Sequence, residues 1–275
     1  MRNFMKSLGL ITLFIAVPRV LLHILINEAV KTLVHKNEYM DINVAKDTII
    51  QVMDMLTPIL IIISTILSFF VYYLVCKVQK EDMFDICNFS KISVTKTIAL
   101  VIVGITMNLV LGLVASFVFR IGIFGKAQME YSIILKERMN GDFLVDLITA
   151  GINAPFIEEM LFRGLIFKEL KKNMSVVCAV IIQAILFSIY HRELIQSMGA
   201  FFAGVLLCLV YIWFKSIWAP VIIHMTHNLF VIIVSNIAGD RVMSSYIPYI
   251  SSIILILTIV YIYKNRIVED NIPMC

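Results

Sequence analysis

Long runs of apolar residues dominate the chain and restrict what it can fold into. A helix needs about 20 mostly apolar residues to cross the hydrocarbon core of a bilayer. The runs predict helices at Leu8–Ile26, Leu56–Cys76, Ile98–Phe119, Pro155–Leu170, Val176–Tyr190, Ile195–Phe214, Ile217–Ile237 and Tyr246–Tyr263. Hydrophobic residues make up 60% of the 275 residues and charged residues 15%, a balance that excludes a soluble globular domain. We therefore predict an all-α fold, a polytopic transmembrane bundle of about eight helices.

The distribution of charged residues predicts the membrane topology and does not indicate a charged binding partner. The formal net charge is +4 and is spread over the loops without a basic stripe, so no nucleic-acid partner is expected. Basic residues are slightly more frequent on the side that holds both termini, which predicts cytoplasmic termini. The Lys- and Ile-rich composition favours a bacterial plasma membrane. The sequence does not specify an oligomeric state.

Motifs are confined to the second half of the chain. Residues 1–142 hold the first three predicted helices and a long polar connection, Asn27 to Asp54, predicted to be a solvated or surface-lying loop. Residues 143–275 hold every polar cluster inside an apolar run, together with the last helix. We expect these two parts to form one integral membrane domain.

The stretch from Ala154 to Gly164 reads A-P-F-I-E-E-M-L-F-R-G and places three charges among apolar residues. A charged side chain at bilayer depth costs about 2.5 kcal/mol or more, so these groups must form ion pairs, contact water or take part in the function of the protein. Glu159 and Arg163 are four residues apart, in the favourable order for an ion pair on one helix face. Glu158 points about 100° away, which makes it the candidate for reactivity. The alternative is a structural hydrogen bond to a neighbouring helix.

A helix start is predicted immediately before this stretch. The segment from Phe143 to Ala150 has helical periodicity and is followed by Gly151. Asn153 and Pro155 then suggest a cap and a proline in the first turn. We expect a short interfacial helix, a break, and a new helix in which Glu158 lies in an early turn near the mouth of a cavity.

Two further polar positions lie in apolar helices. Phe187 and His191 close the fifth predicted helix, and His224 and Asn228, four apart, share a face of the seventh. His227 lies about 60° from His224 on that helix. Each cluster has a structural alternative, a helix-end cap for His191 and an interhelical packing cluster for His224 and Asn228.

Taken together, the ordered motifs E-E-x-x-x-R, F-x-x-x-H and H-x-x-x-N resemble the CPBP family, which contains type II CAAX prenyl proteases and bacteriocin-processing enzymes and is also called the Abi family. The matching residues are Glu158, Glu159, Arg163, Phe187, His191, His224 and Asn228. The resemblance covers about Phe143 to Ile237 and implies an intramembrane endopeptidase, either glutamate-dependent or metal-dependent.

The resemblance leaves two mechanisms open. In the first, Glu158 helped by His191 deprotonates a water, and His224 with Asn228 stabilises the oxyanion. In the second, Glu158, His191 and His224 hold a zinc ion that acidifies its bound water. Because the chain lacks the H-E-x-x-H spacing and asparagine is a poor zinc ligand, we favour the metal-free mechanism and treat zinc as the alternative cofactor.

Straight helices of full length would separate His224 from the other site residues, because His224 lies nearer the opposite end of its helix. The fifth predicted helix is short. We therefore expect it to end at mid-depth, with the stretch from His191 to Ser197 lining a water-filled cavity, the place where non-helical backbone is tolerated.

The expected function is cleavage of a membrane-associated peptide or protein precursor, such as a CAAX-like protein, leader peptide, bacteriocin or pheromone. The alternative is a non-enzymatic bacteriocin-immunity or scaffold protein whose polar cluster fixes helix packing. A proton-coupled transporter is disfavoured, because the sequence has no inverted repeat and no paired broken helices.

Overall fold

The computed structural model describes residues 2–122, 125–127, 129, 130, 133, 142–238 and 246–267. All regular secondary structure within these ranges is helical, which confirms the predicted all-α helix bundle. By contacts the chain divides into two compact units, Met1–Met83 and Phe84–Cys275. The division at residue 142, which rests on motif content, stays a prediction.

The helices are numbered in chain order. They are α1 Arg2–Lys36, α2 Ile42–Val78, α3 Met83–Cys87, α4 Val94–Ile121, α5 143–171, α6 Val176–Tyr190, α7 Leu194–Phe214, α8 Trp218–Ala238 and α9 Ile247–Lys264. Helices α1, α2, α4, α7, α8 and α9 are each long and apolar enough to cross a membrane. The other two predicted spans correspond to α5 and to the shorter apolar helix α6. The chain is an integral membrane protein.

The first unit is built on two helices longer than predicted. The Tyr72 hydroxyl of α2 donates to the Phe14 carbonyl of α1 at 2.8 Å, and the two rings meet edge to face with centroids 5.6 Å apart. The segment from Asn27 to Asp54, predicted to be a loop, is mostly helical, so its predicted conformation is wrong, although most of its residues are exposed. Asp41 accepts from Asn43 N and caps α2, so only a short turn interrupts the two helices.

The second unit has its core where α4, α7, α8 and α9 meet. The buried side chains there come from all four helices and are Ala99, Leu100, Val103, Met107, Ala203, Leu207, Val210, Phe214, Ala219, Ile223 and Ile262. This apolar packing holds α8, the helix that carries His224, against the rest of the unit.

Helix α5 is continuous but changes its hydrogen-bond register twice. Two π-helical stretches, Leu147–Asn153 and Met160–Ile166, flank the short α-helical stretch Ala154–Glu159. Asn153 has helical backbone angles and makes no side-chain cap, so the predicted helix break before Pro155 is wrong. A π turn uses i→i−5 bonds, and this wider register accommodates a proline that would break a regular α-helix.

Helices α4 and α8 approach each other closely at Gly104. A Cβ atom at this position would lie 2.7 Å from both the Ile223 carbonyl oxygen and Thr226 Cβ. Small residues permit such close packing between membrane helices. The contact sets the distance between α4 and the helix turn that carries His224.

We expect Gly104→Ala to lower the free energy of unfolding by about 1 to 3 kcal/mol, because backbone atoms of α8 must shift to accept the methyl group. Gly199→Ala is the matched control, since its nearest neighbour would lie 3.9 Å away, and it should be neutral or stabilising by up to about 1 kcal/mol. Unfolding of the purified protein in detergent measures both values. Equal effects of the two substitutions would contradict the close approach.

Candidate active site

Two neighbouring carboxylates occupy the short α-helical stretch between the π turns of α5. The Glu159 side chain is fully buried, whereas that of Glu158 is 15% exposed. Single π turns are rare in helices and are frequent at functional sites. The helix thus presents two adjacent acids in different environments.

Glu159 makes the predicted ion pair with Arg163. Arg163 Nη1 donates to Glu159 Oε1 at 3.1 Å, and Arg163 Nε lies 3.0 Å from Glu159 Oε2. The Nε–H does not point at the carboxylate, so this second contact is electrostatic and only the first is a hydrogen bond. Both side chains are fully buried, a setting in which each charge requires the other.

His224 lies between the two carboxylates. Its Nδ1 is 2.7 Å from Glu159 Oε1, and its Nε2 is 3.9 Å from Glu158 Oε2. Because Glu159 is paired with Arg163, it acts as an acceptor, and Nδ1 therefore carries the hydrogen. This bond fixes the ring and directs Nε2 towards Glu158, as a carboxylate orients a histidine in catalytic triads.

Arg163 is held from two other sides. Its guanidinium carbon lies 4.4 Å from the centre of the Phe187 ring, and its Nη2 lies 3.4 Å from the Gly204 carbonyl oxygen. Gln183 Nε2 donates to the same oxygen at 2.9 Å, which agrees with the interhelical role expected of a buried amide. Gly204 thus links α5, α6 and α7 through one backbone acceptor.

The Phe187 ring contacts both His191 and His224. The Phe187 ring centre lies 4.7 Å from that of His191 and 5.9 Å from that of His224. His191 Nδ1 is 2.9 Å from the Phe187 carbonyl oxygen; since a carbonyl only accepts, Nδ1 donates and Nε2 is the nitrogen left to accept a proton.

The connection after His191 is shorter than predicted. Helix α6 ends at Tyr190 and α7 begins at Leu194, so non-helical backbone is limited to residues 191–193, and the predicted helix start at Ile195 is correct to within one residue. Arg192 allows the tight turn by adopting a φ of 65°, and Ser188 Oγ donates to the Ser197 carbonyl at 2.7 Å. The water-filled cavity stays a prediction.

Asn228 bonds to the backbone of α5 rather than to a site side chain. Its Nδ2 donates to the Ala150 carbonyl oxygen at 2.8 Å. One of its two amide hydrogens is therefore used in joining α8 to α5. The catalytic role predicted for Asn228 stays a prediction and depends on the second hydrogen.

A zinc site was the alternative use of Glu158, His191 and His224. Within the described part of the chain, no three His, Cys, Asp or Glu side chains are grouped as metal ligands. His224 Nδ1 is bound to Glu159, which leaves Nε2 as the ring atom that could ligate a metal. Because Glu158, His191 and His224 are not grouped closely enough to share one ion, their arrangement does not fit zinc; the cofactor itself stays a prediction.

Two backbone hydrogen-bond acceptors of the site could not be predicted from the sequence. The carbonyl groups of Ala150 and Gly204 bind Asn228, Gln183 and Arg163, but small apolar residues give no polar signal. Pro155 is related to the π turn that frees Ala150, but a proline at this position also predicts a helix start.

The fold and the site thus define a helical membrane protein with a buried carboxylate–imidazole–guanidinium cluster. Residues 140–230 match the family model described as type II CAAX prenyl endopeptidase Rce1-like. The resemblance inferred from the three motifs is therefore confirmed over this segment.

Two curated relatives match part of the chain. The "Putative membrane peptidase YdiL" of Bacillus subtilis (strain 168) is 29% identical over 123 residues, which cover 42% of this chain and 50% of the relative. The "Membrane-embedded CAAX protease MroQ" of Staphylococcus aureus (strain USA300) is 33% identical over 89 residues, 30% of this chain and 36% of the relative. The matched segment thus spans half or less of these relatives. No solved structure gives a significant match.

Removing one member of the buried ion pair should be costly. We expect Arg163→Met to lower the free energy of unfolding by about 3 to 5 kcal/mol, because Glu159 would lose its cation while remaining buried. The double variant Glu159→Gln/Arg163→Met should cost less than the two single changes added together.

The exposed pair between Lys31 and Glu28, with side chains 72% and 65% exposed, provides the control. Lys31→Met should cost less than about 1 kcal/mol. Denaturant or thermal unfolding in detergent measures all four variants. An Arg163→Met cost as small as that of Lys31→Met would show that the buried pair does not hold the site together.

Proposed function

We propose that the chain is an intramembrane endopeptidase that uses Glu158 to activate water. The observation that carries the proposal is the position of His224, held at Nδ1 by Glu159 and facing Glu158 with Nε2 3.9 Å from Oε2. A purely structural cluster needs Glu159 and Arg163 but not a second, partly exposed carboxylate. The match to the Rce1-like family over residues 140–230 supports the same class of activity.

Glu158 is the general base. A water bound between its carboxylate and the facing His224 ring gives a proton to Glu158 while the water oxygen attacks the scissile carbonyl carbon. His191, whose Nε2 is the nitrogen left to accept, helps to orient that water. When the C–N bond breaks, Glu158 returns the proton to the leaving nitrogen, so that hydrolysis consumes one water and restores the site.

His224 stabilises the oxyanion. It already carries a hydrogen on Nδ1, so a hydrogen on Nε2 makes the ring an imidazolium. The charges of Glu158, Glu159, Arg163 and imidazolium His224 then sum to zero. A preoriented cation beside the developing negative charge lowers the barrier without reorganisation, and the bond to Glu159 supplies that orientation.

The proposed substrates are membrane-associated peptides or protein precursors. The site residues lie on helices of an integral membrane protein, so a substrate must reach them through or along the bilayer. CAAX-like proteins, leader peptides, bacteriocins and pheromone precursors all fit this class. We place the protein in a bacterial plasma membrane with both termini in the cytoplasm.

We expect Glu158→Gln to reduce cleavage of a peptide substrate by at least about a hundredfold, the range of general-base catalysis, with an unchanged thermal midpoint. Glu28→Gln, at an exposed position of α1, is the matched control and should retain full activity. Purified protein incubated with a library of the four precursor types provides the assay, read by mass spectrometry. Retained cleavage by Glu158→Gln protein would exclude the assigned base.

Metal content measured on the same sample separates the two mechanisms. Activity that survives complete metal removal supports the metal-free route, and activity that tracks bound zinc supports the alternative. Cleavage of no peptide by the wild-type protein, combined with protection of cells from a bacteriocin that does not depend on Glu158, would favour an immunity protein instead.

A further inference from the structure

One carbonyl group in α5 lacks its helical donor because of Pro155. In the π stretch Leu147–Asn153, the N–H of Ala154 donates to the carbonyl of Thr149, five residues earlier. The next bond in this series would run from residue 155 to Ala150. Proline has no N–H, so the Ala150 oxygen has no partner from that position.

Asn228 supplies the missing donor. Its Nδ2 lies 2.8 Å from the Ala150 oxygen, a normal hydrogen-bond distance. A backbone carbonyl shielded from water costs free energy if it stays unpaired, and this carbonyl lies in a part-buried contact between α5 and α8. The amide of α8 therefore takes the place of a backbone N–H of α5.

The same face of α8 holds α5 at a second point. His224 lies one turn before Asn228 and bonds to Glu159 at 2.7 Å. Next to Asn228, Leu229 packs so closely on α5 that a Cβ atom on Gly151 would lie 2.6 Å from Leu229 Cδ2. A shift of α8 along α5 would break all of these contacts together.

We infer that Asn228 is a positioning residue, which fixes the register of α8 against the π turn of α5 and thereby sets His224 opposite Glu158. Its donor is required because residue 155 is a proline. The inference rests on the geometry of the two helices; only its effect on turnover rests on the proposed function. It assigns Pro155 and Asn228 to one functional pair, although they lie on different helices.

The pair makes an unusual prediction for a double substitution. Asn228→Ala should lower the thermal midpoint of the full-length protein in detergent by roughly 3 to 8 °C, because the Ala150 carbonyl loses its donor. Pro155→Ala adds a backbone N–H that can reach the same carbonyl. In the Pro155→Ala background, the decrease in thermal midpoint caused by Asn228→Ala should be less than half of the decrease in the Pro155 background.

Ile223→Ala is the matched control on α8. Ile223 is fully buried and packs in the core cluster of the second unit, away from the Ala150 bond. Its destabilisation should be the same in the Pro155 and Pro155→Ala backgrounds. This control separates specific rescue from the general stabilisation expected when a helix loses a proline.

Turnover provides a second readout that a merely structural role would not move. Under the proposed function, Asn228→Ala should reduce kcat about tenfold or more with little change in KM, and Pro155→Ala should restore most of the lost kcat. An oxyanion donor would lose the same factor of kcat in both backgrounds.

The outcomes are distinguishable. Rescue of the thermal midpoint supports the inference even if no peptide is ever cleaved, which would count against the proposed function alone. If Asn228→Ala protein fails to fold, recovery of folded protein on adding Pro155→Ala supports the inference as well. Additive midpoint losses, or failure to fold in both backgrounds, would overturn it.

Discussion

The buried carboxylate of Glu159 is the constraint on which the rest of the site depends. A fully buried charge is tolerated only when it is paired and hydrogen-bonded. Glu159 Oε1 bonds to Arg163 on its own helix and to His224 on α8, and Oε2 lies 3.0 Å from Arg163 Nε in an electrostatic contact. Arg163 in turn contacts Phe187 of α6 and the Gly204 carbonyl of α7. One charge therefore ties four helices together. The neighbouring Glu158 contacts this network only through His224 Nε2, 3.9 Å away, and its side chain is 15% exposed.

Backbone register matters as much as side-chain chemistry in this protein. The two π stretches of α5 leave a six-residue α-helical stretch that carries both acids. The first π stretch also leaves the Ala150 carbonyl free to accept a hydrogen bond from Asn228. The second π stretch contains Arg163. A regular α-helix over the same residues would turn Glu158, Glu159 and Arg163 to other directions. The register changes thus connect an unusual local structure with the orientation of the candidate catalytic group.

The sequence was informative where a rule depends on spacing. Apolar run length located α6 at Val176–Tyr190, as the structure has it, and the four-residue spacing of Glu159 and Arg163 anticipated their ion pair. The sequence was misleading where the structure depends on backbone hydrogen bonds. Asn153 and Pro155 looked like a helix start because no side-chain signal distinguishes a proline at a π turn from one at a helix N-terminus. The partners of Asn228 and Arg163 are carbonyl groups, which every residue has. The predicted separation of His224 from the acids assumed straight helices, and the contact of His224 with Glu159 removes that difficulty.

The central claim is that Glu159 orients His224, so that Glu158 is left to act on water. Nitrogen NMR of the purified protein, with its five histidines labelled with ¹⁵N and His224 assigned by its loss in His224→Gln, tests this claim directly. We predict a proton on Nδ1 of His224 in the wild-type protein and a changed Nδ1 signal in Glu159→Gln. An unprotonated Nδ1, or a His224 signal that does not respond to Glu159→Gln, would contradict the account.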